Sequence, residues 1–206
     1  MESKTVLNSQ LSSSQYQSDM RCQSINISNI KASIKTECNA LVLKNFADNQ
    51  SKFFTHRPLT NSFFLFKLYV NNHVVVITVY YRGHINVTGI KSQSELDLIT
   101  GIVSNIPGII KIKKVSIDNL TATYTLPSGS FYNHKLPFNQ VLSLFQKEDK
   151  ISTVKYSSQK FPGAFIKYKA GGTITLFPSG KINILGCKSE SRVKDLVTKT
   201  VDILKQ

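Results

Sequence analysis

Apolar and polar positions alternate with the period of a β-strand from the first ordered-looking segment onward. Ile30, Ala32 and Ile34 share one face, and Asn29, Lys31 and Ser33 the other. This pattern predicts a strand starting near Ile25, a short helix near 39–49 and an extended piece near 51–57. Three strands follow, Phe63–Val70, His73–Tyr80 and His84–Ile90, rich in β-branched and aromatic residues, with Asn71-Asn72 and Arg82-Gly83 as tight turns. Ser92-x-x-Glu95 reads as a capping box, and Leu96, Ile99, Val103 and Ile106 recur at helical spacing until Pro107-Gly108 ends the helix. Ile109–Ile117 predicts a strand, followed by a long polar loop containing Pro127-Ser128-Gly129. Pro137 opens a helix with the stripe Phe138, Val141, Leu142 and Phe145. Strands near 151–157, 163–169, 172–178 and 181–187 lead into a last helix carrying Val193, Leu196, Val197, Val201 and Leu204. Residues 1–23 are Ser/Gln-rich without periodicity and are expected to form a disordered tail.

The order of elements occurs twice because the sequence does. The segment from Gly83 to Ser94 returns as Gly180 to Ser191, 97 positions later, with seven of twelve residues identical. The expected organisation is a tail over 1–23, one repeat over 24–106 and a second over 107–206. Two long copies imply internal two-fold symmetry, not a solenoid of short units. Strand runs joined by tight turns, with helices on one face, predict an α+β fold built on antiparallel sheet. Ile85, Val87, Ile182 and Ile184 should face the helices. His84, Asn86 and Thr88, with Lys181, Asn183 and Leu185, should face away. The strand between them is apolar on both faces, with Val75, Ile77 and Val79 against Val76, Thr78 and Tyr80. An open antiparallel sheet normally shows water a polar face. Here the outward face mixes aromatic, hydroxyl, amide and basic groups, which marks a binding surface.

Charge says what kind of partner. Among 206 residues, 26 are basic and 12 acidic, a formal +14. The tail cancels, residues 23–106 hold 8 basic and 4 acidic residues, and 107–206 hold 16 and 6, so the second half is the more basic. A polyanion, most simply nucleic acid, is the partner this implies. No apolar run approaches the about 18 residues of a membrane span, and no leader pattern opens the chain, so a soluble, unsecreted protein is expected. Cys22, Cys38 and Cys187 lack metal-ligand spacing and read as free thiols of a reducing compartment. Catalysis is not indicated. His56, His73, His84 and His134 are scattered, no Gly-rich phosphate loop occurs, and strand carboxylates are too sparse to pair. No cofactor or metal is expected.

Phe161-Pro162-Gly163-Ala164-Phe165-Ile166, then Phe177-Pro178-Ser179-Gly180-Lys181-Ile182-Asn183-Ile184-Leu185-Gly186-Cys187-Lys188-Ser189, resembles the second repeat of the TATA-box-binding protein core. The first copy resembles it more loosely, through Phe63, Tyr80-x-x-Gly83 and Thr88-Gly89-Ile90-Lys91-Ser92. The wording Gly-Lys-Ile-Asn-Ile-Leu-Gly-Cys is closest to divergent members of that family in large nucleocytoplasmic DNA viruses. The resemblance covers about residues 24–206. It implies a saddle, one curved antiparallel sheet with helices on the convex face, whose underside sits in the DNA minor groove.

By position, the resemblance implies that Phe63 with Tyr80, and Phe161 with Phe177, are the intercalating pairs that kink the duplex. A single strand phenylalanine is ordinarily core; four aromatics at repeat-equivalent positions are not ordinary. Asn29 matches the family's central asparagine, with Lys114 as its symmetry mate and a connection twelve residues longer in the second copy. Lys31 and Ser116 take the place of a valine, Asn86 and Asn183 replace two further groove-facing valines, and Thr88 is kept with Leu185 as its mate. Lys91, Lys167, Lys181 and Lys188 match phosphate-contacting positions. Asparagine carbonyls can accept from the guanine amino group that an apolar surface disfavours, so a relaxed or altered site preference is expected. The implied partners are double-stranded DNA, factor IIB-like or virus-specific transcription proteins and the RNA polymerase machinery. Ser157-Ser158-Gln159-Lys160 stands where the family usually has the acidic residues that meet factor IIB, which favours the virus-specific partner. A monomer with an internal pseudo-dyad is expected, in the nucleus or a cytoplasmic viral factory, with the virion as a further location. The competing readings are a scaffold of the transcription machinery that has lost bending, and a nonspecific nucleic-acid-binding protein.

Overall fold

The computed structural model describes residues 24–50, 55–56, 62–126 and 137–205. The expected tail, the loop around Pro127-Ser128-Gly129 and most of the piece near 51–57 lie outside them. Two compact units result: an N-terminal unit of Ile27–Ala122 with Ile184–Lys194, and a C-terminal unit formed mainly by Thr123–Asn183 and the chain from Asp195.

In the N-terminal unit, β1 (Asn26–Cys38), helix α1 (Ala40–Asn49), β2 (Thr55–His56), β3 (Phe63–Val70), β4 (His73–Tyr80), β5 (His84–Ile90), helix α2 (Gln93–Ser104) and most of β6 (Ile109–Thr125) follow one another. Their hydrogen-bonded order is β2-β3-β4-β5-β1-β6. The paired registers are antiparallel: Phe63 opposes Tyr80, Ile77 opposes Val87 and Ser33 opposes Asn86. Alternation does the sorting. Ile30, Ala32, Ile34, Phe64, Val75, Ile77, Val79, Ile85 and Val87 are buried with Leu43 and Ala47 of α1 and Leu96, Ile99 and Val103 of α2. Asn71 and Asn72, both left-handed at φ 46° and 64°, turn β3 into β4 in two residues.

The Asn39 side chain caps α1 by accepting from the Leu41 and Val42 amides, and Ser92 Oγ caps α2 by accepting from Glu95 N–H. The second half of the expected capping box forms differently. Glu95 Oε2 accepts from Lys91 N–H, because Asn71 Nδ2 and His73 Nε2 also draw the carboxylate toward the β3–β4 turn.

The end of β6 is followed by helix α3 (Phe138–Gln146), β7 (Ile151–Ser157), β8 (Phe161–Tyr168), β9 (Thr173–Leu176), β10 (Lys181–Cys187) and helix α4 (Glu190–Leu204), in the order β6-β10-β9-β8-β7. These belong to the C-terminal unit except for the stretch Ile184–Lys194 at the end of β10 and the start of α4. Val141, Leu142 and Phe145 of α3, Ala164 and Ile166 of β8, and Leu196 and Leu204 of α4 are buried. Thr200 joins them because its hydroxyl bonds both Tyr168 Oη and the Leu196 carbonyl; Val201, expected in that stripe, is half-buried.

One element departs from expectation. β6 runs to Thr125 rather than yielding to a loop after Ile117. Leu120 and Ala122 are buried in alternation with Thr121 and Thr123, and those threonines give the strand the polar look of a loop.

Candidate nucleic-acid interface

In each unit, expected site residues lie on the sheet face turned away from that unit's own helices. Phe63 and Tyr80, cross-strand partners on β3 and β4, hold their rings 5.3 Å apart at 48°. Both are half-buried, whereas Phe64 beside them is fully buried on the opposite face. In the C-terminal unit Phe161 meets Phe177 edge-on at 5.7 Å, and Phe161 is 38% exposed. Neither pair is core.

Phe165 belongs to the same group, although the sequence reading passed over it. It is 42% exposed and stacks on Phe161 at 5.2 Å. The period of two, which puts 161, 163 and 165 on one face, would have found it. Gly163 sits between them. A Cβ there would lie 2.7 Å from Thr175 Cγ2, 2.8 Å from Phe161 Cε1 and 3.0 Å from Phe177 Cε1. Only a residue without a side chain lets both rings settle on the strand.

Asn29 is fixed from behind. Its Oδ1 accepts from Gly89 N–H at 2.8 Å. An amide N–H can bond only the oxygen, so the Asn29 NH2 group is the end left to donate. Asn119 repeats the arrangement, its Oδ1 accepting from Gly186 N–H at 3.0 Å. Gly89 and Gly186 are equivalent in the duplicated segment, so Asn119 is the symmetry mate of Asn29. The expected mate, Lys114, is not. Thr121 consequently matches Lys31, and Ser116 drops out of the symmetric set; its hydroxyl instead approaches the Ser33 carbonyl at 3.4 Å. Gly89 and Gly186 are 97 positions apart but the asparagines 90, so the longer connection exceeds its counterpart by seven residues rather than twelve.

Asn86 and His84 lie on the same face of β5, with His84 Nε2 at 2.9 Å from Asn86 Oδ1. The corresponding oxygen of Asn183 is buried and has no hydrogen-bond partner among the described residues. Thr88 opposes Lys31 and Val76 across its two neighbouring strands, and Leu185 is 40% exposed. Lys31, Lys91, Lys114, Lys167, Lys181 and Lys188 are all exposed. Among the described residues no group of His, Cys, Asp and Glu could hold a metal ion, and no helix is long and apolar enough to cross a membrane.

Each copy of the strand–helix plan carries an aromatic pair and an asparagine held by the amide of an equivalent glycine. The family described as "Transcription factor TFIID (or TATA-binding protein, TBP)" matches residues 24–106 and 114–206, and the chain belongs to it. Its members are DNA-binding transcription factors and not enzymes. The TATA-box-binding protein of Sulfurisphaera tokodaii is 30% identical over 105 residues, 50% of this chain and 47% of that protein. The chain thus spans about half the length of this relative. The TATA-box-binding protein of Methanocaldococcus jannaschii is 26% identical over 138 residues, 64% of this chain and 69% of its own. The solved structure of Methanococcus jannaschii TBP superposes with a TM-score of 0.67 at 23% identity, covering 88% of this chain and 98% of that one. This likeness shows the fold.

Proposed function

We propose that the chain is a transcription initiation factor that binds promoter DNA through the minor groove and bends it, with a relaxed or altered site preference. The observation that carries this reading is the pair of aromatic pairs, Phe63–Tyr80 and Phe161–Phe177, each held out of its own unit's core. An apolar wedge between base steps costs a few kcal/mol of unstacking, which the extra groove contact of a bent duplex offsets. The Asn29 and Asn119 amides supply donors for the acceptors that every minor-groove A·T pair presents. The lysines supply phosphate contacts. Asn86 and Asn183 put amides where the family has groove-facing valines, which removes the apolar surface that disfavours guanine, and this supports the relaxed preference.

The two repeats act as one monomeric binding module, with residues 1–23 as a tail. The Gly180–Cys187 wording supports a viral member of the family, acting in the nucleus or a viral factory. The sequence Ser157-Ser158-Gln159-Lys160, all exposed, supports a partner other than an ordinary factor IIB.

End-to-end energy transfer on a short A·T-rich duplex tests the function. Binding with a shortened end-to-end distance is expected, and Phe161→Ala with Phe177→Ala should remove the bend more than the binding. Binding without a bend would leave only general nucleic-acid affinity, and no binding would leave a scaffold. Competition with G·C-interrupted sites should show them competing; undiminished preference for A·T-only sites would contradict the relaxed specificity.

A further inference from the structure

Asp118 is a feature of this face that the internal symmetry does not repeat. Among the described residues the strands carry two carboxylates, Glu37 and Asp118. Glu37 is neutralised by Lys113 at 3.2 Å. Asp118 is exposed, has no cation at ion-pairing distance among the described residues, and its Oδ2 accepts instead from the Ser33 hydroxyl. Ser33 lies opposite Asn86, whose Oδ1 is served by His84, so Asp118 joins the polar cluster of the outward face. It directly precedes Asn119. The matching place in the first copy, directly before Asn29, is Ser28, whose hydroxyl meets Thr121 Oγ1 at 2.9 Å.

A carboxylate only accepts, and about four lone-pair positions are available to it, of which Ser33 occupies one. Against an A·T pair in the minor groove it meets acceptors alone, with phosphates of like charge close by. Against a G·C pair it meets the one donor that groove offers, the guanine 2-amino group. The Ser28 hydroxyl is uncharged and shared with Thr121 Oγ1, and offers the amino group no comparable acceptor. We propose that Asp118 is a specificity residue that reads the amino group of one guanine. Because Ser28 replaces it in the first copy, it also gives this pseudo-symmetric protein one preferred direction on its site. The proposal rests on the duplex-binding reading above and goes beyond it, since Asn86 and Asn183 relax both halves alike.

The test uses the full chain and fluorescence anisotropy at one fixed salt concentration. The duplexes are an A·T-only site, the same site with one G·C pair scanned through a half, and the same site with two G·C pairs placed symmetrically. The protein can turn over on a symmetric site, so a lone G·C pair reaches Asp118 from either half, while a second must face Ser28. At one position the first G·C pair should leave affinity unchanged or tighter, and the second should weaken it about 10-fold, the scale of one base-edge contact. Inosine in place of guanine, which deletes only the amino group, should erase the difference. Asp118→Ala and Asp118→Ser, each checked for an unchanged unfolding midpoint, should make both G·C pairs cost the same and hold the A·T-only site at least as tightly. Equal costs in the unsubstituted protein, or a difference that survives inosine or both substitutions, would overturn the proposal. Failure to bind any duplex would overturn the duplex-binding reading itself, a separate outcome.

Discussion

Asn29 and Asn119 hold the same bond in the two copies, each carbonyl oxygen accepting from the amide of an equivalent glycine. The bond orients the side chain as well as anchoring it. Asn29→Asp and Asn119→Asp keep an acceptor for Gly89 or Gly186 N–H but exchange the donor for a charge. Each should fold with a near-native unfolding midpoint and bind an A·T-rich duplex at least ~10-fold more weakly, since a lost hydrogen bond of this kind costs about 1–3 kcal/mol. Anisotropy titration beside thermal unfolding separates the two effects.

Gly163 sets the Phe161–Phe177 wedge by its lack of a Cβ. In Gly163→Ala the methyl group would have to displace Thr175 and both rings. Overpacking of this kind costs about 1–3 kcal/mol. The predicted result is a lower unfolding midpoint together with a reduced bend, measured on the same duplex as the unsubstituted protein.

Glu95 makes stability depend on pH in a definite direction. Burial alone would raise its pKa, but hydrogen bonds from Asn71 and Lys91 N–H and the neighbouring His73 imidazole outweigh burial and lower it. A carboxyl whose folded value is depressed contributes stability above its unfolded value, and loses it as pH falls through the folded value. Chemical denaturation of the unsubstituted protein and Glu95→Gln should therefore show a gap that is constant at neutral pH and closes below the ordinary carboxylate range, near pH 4. A gap that widened on acidification would contradict the assignment.

Salt should weaken DNA binding steeply. Each phosphate neutralised contributes about −0.9 to the slope of log K against log salt. Replacing Lys91, Lys167, Lys181 or Lys188 singly by Ala should flatten the slope by about that amount, with little change in sequence preference.

Most of this architecture is legible in the sequence, because short-range patterns fix it. The limits of β3, β4 and β5 follow from alternation and from the Asn71-Asn72 and Gly83 turns, and α2 follows from the Ser92 cap. The outward placement of Tyr80 also follows from alternation, because the opposite face of β4 is the aliphatic row Val75, Ile77 and Val79, whereas alternation alone cannot tell Phe63 from Phe64. What escapes is whatever depends on register between strands distant in sequence. A single offset taken from the duplicated segment cannot locate Asn119, because a longer connection intervenes and the polar face of β6 hides the strand that carries it. The pairing of Asp118 with Ser33 likewise needs β1 and β6 side by side. Phe165 was within reach, but its strand holds five apolar residues in its first six, which blurs the two faces.

The most direct test of the account is base unstacking at each aromatic pair. An A·T-rich duplex carrying the fluorescent adenine analogue 2-aminopurine at successive steps should brighten at two separated steps when the protein binds. Phe63→Ala with Tyr80→Ala should quench one of them, and Phe161→Ala with Phe177→Ala the other. A bound duplex that brightens at no step, or brightens equally after both double substitutions, would contradict the claim that these aromatics enter the groove.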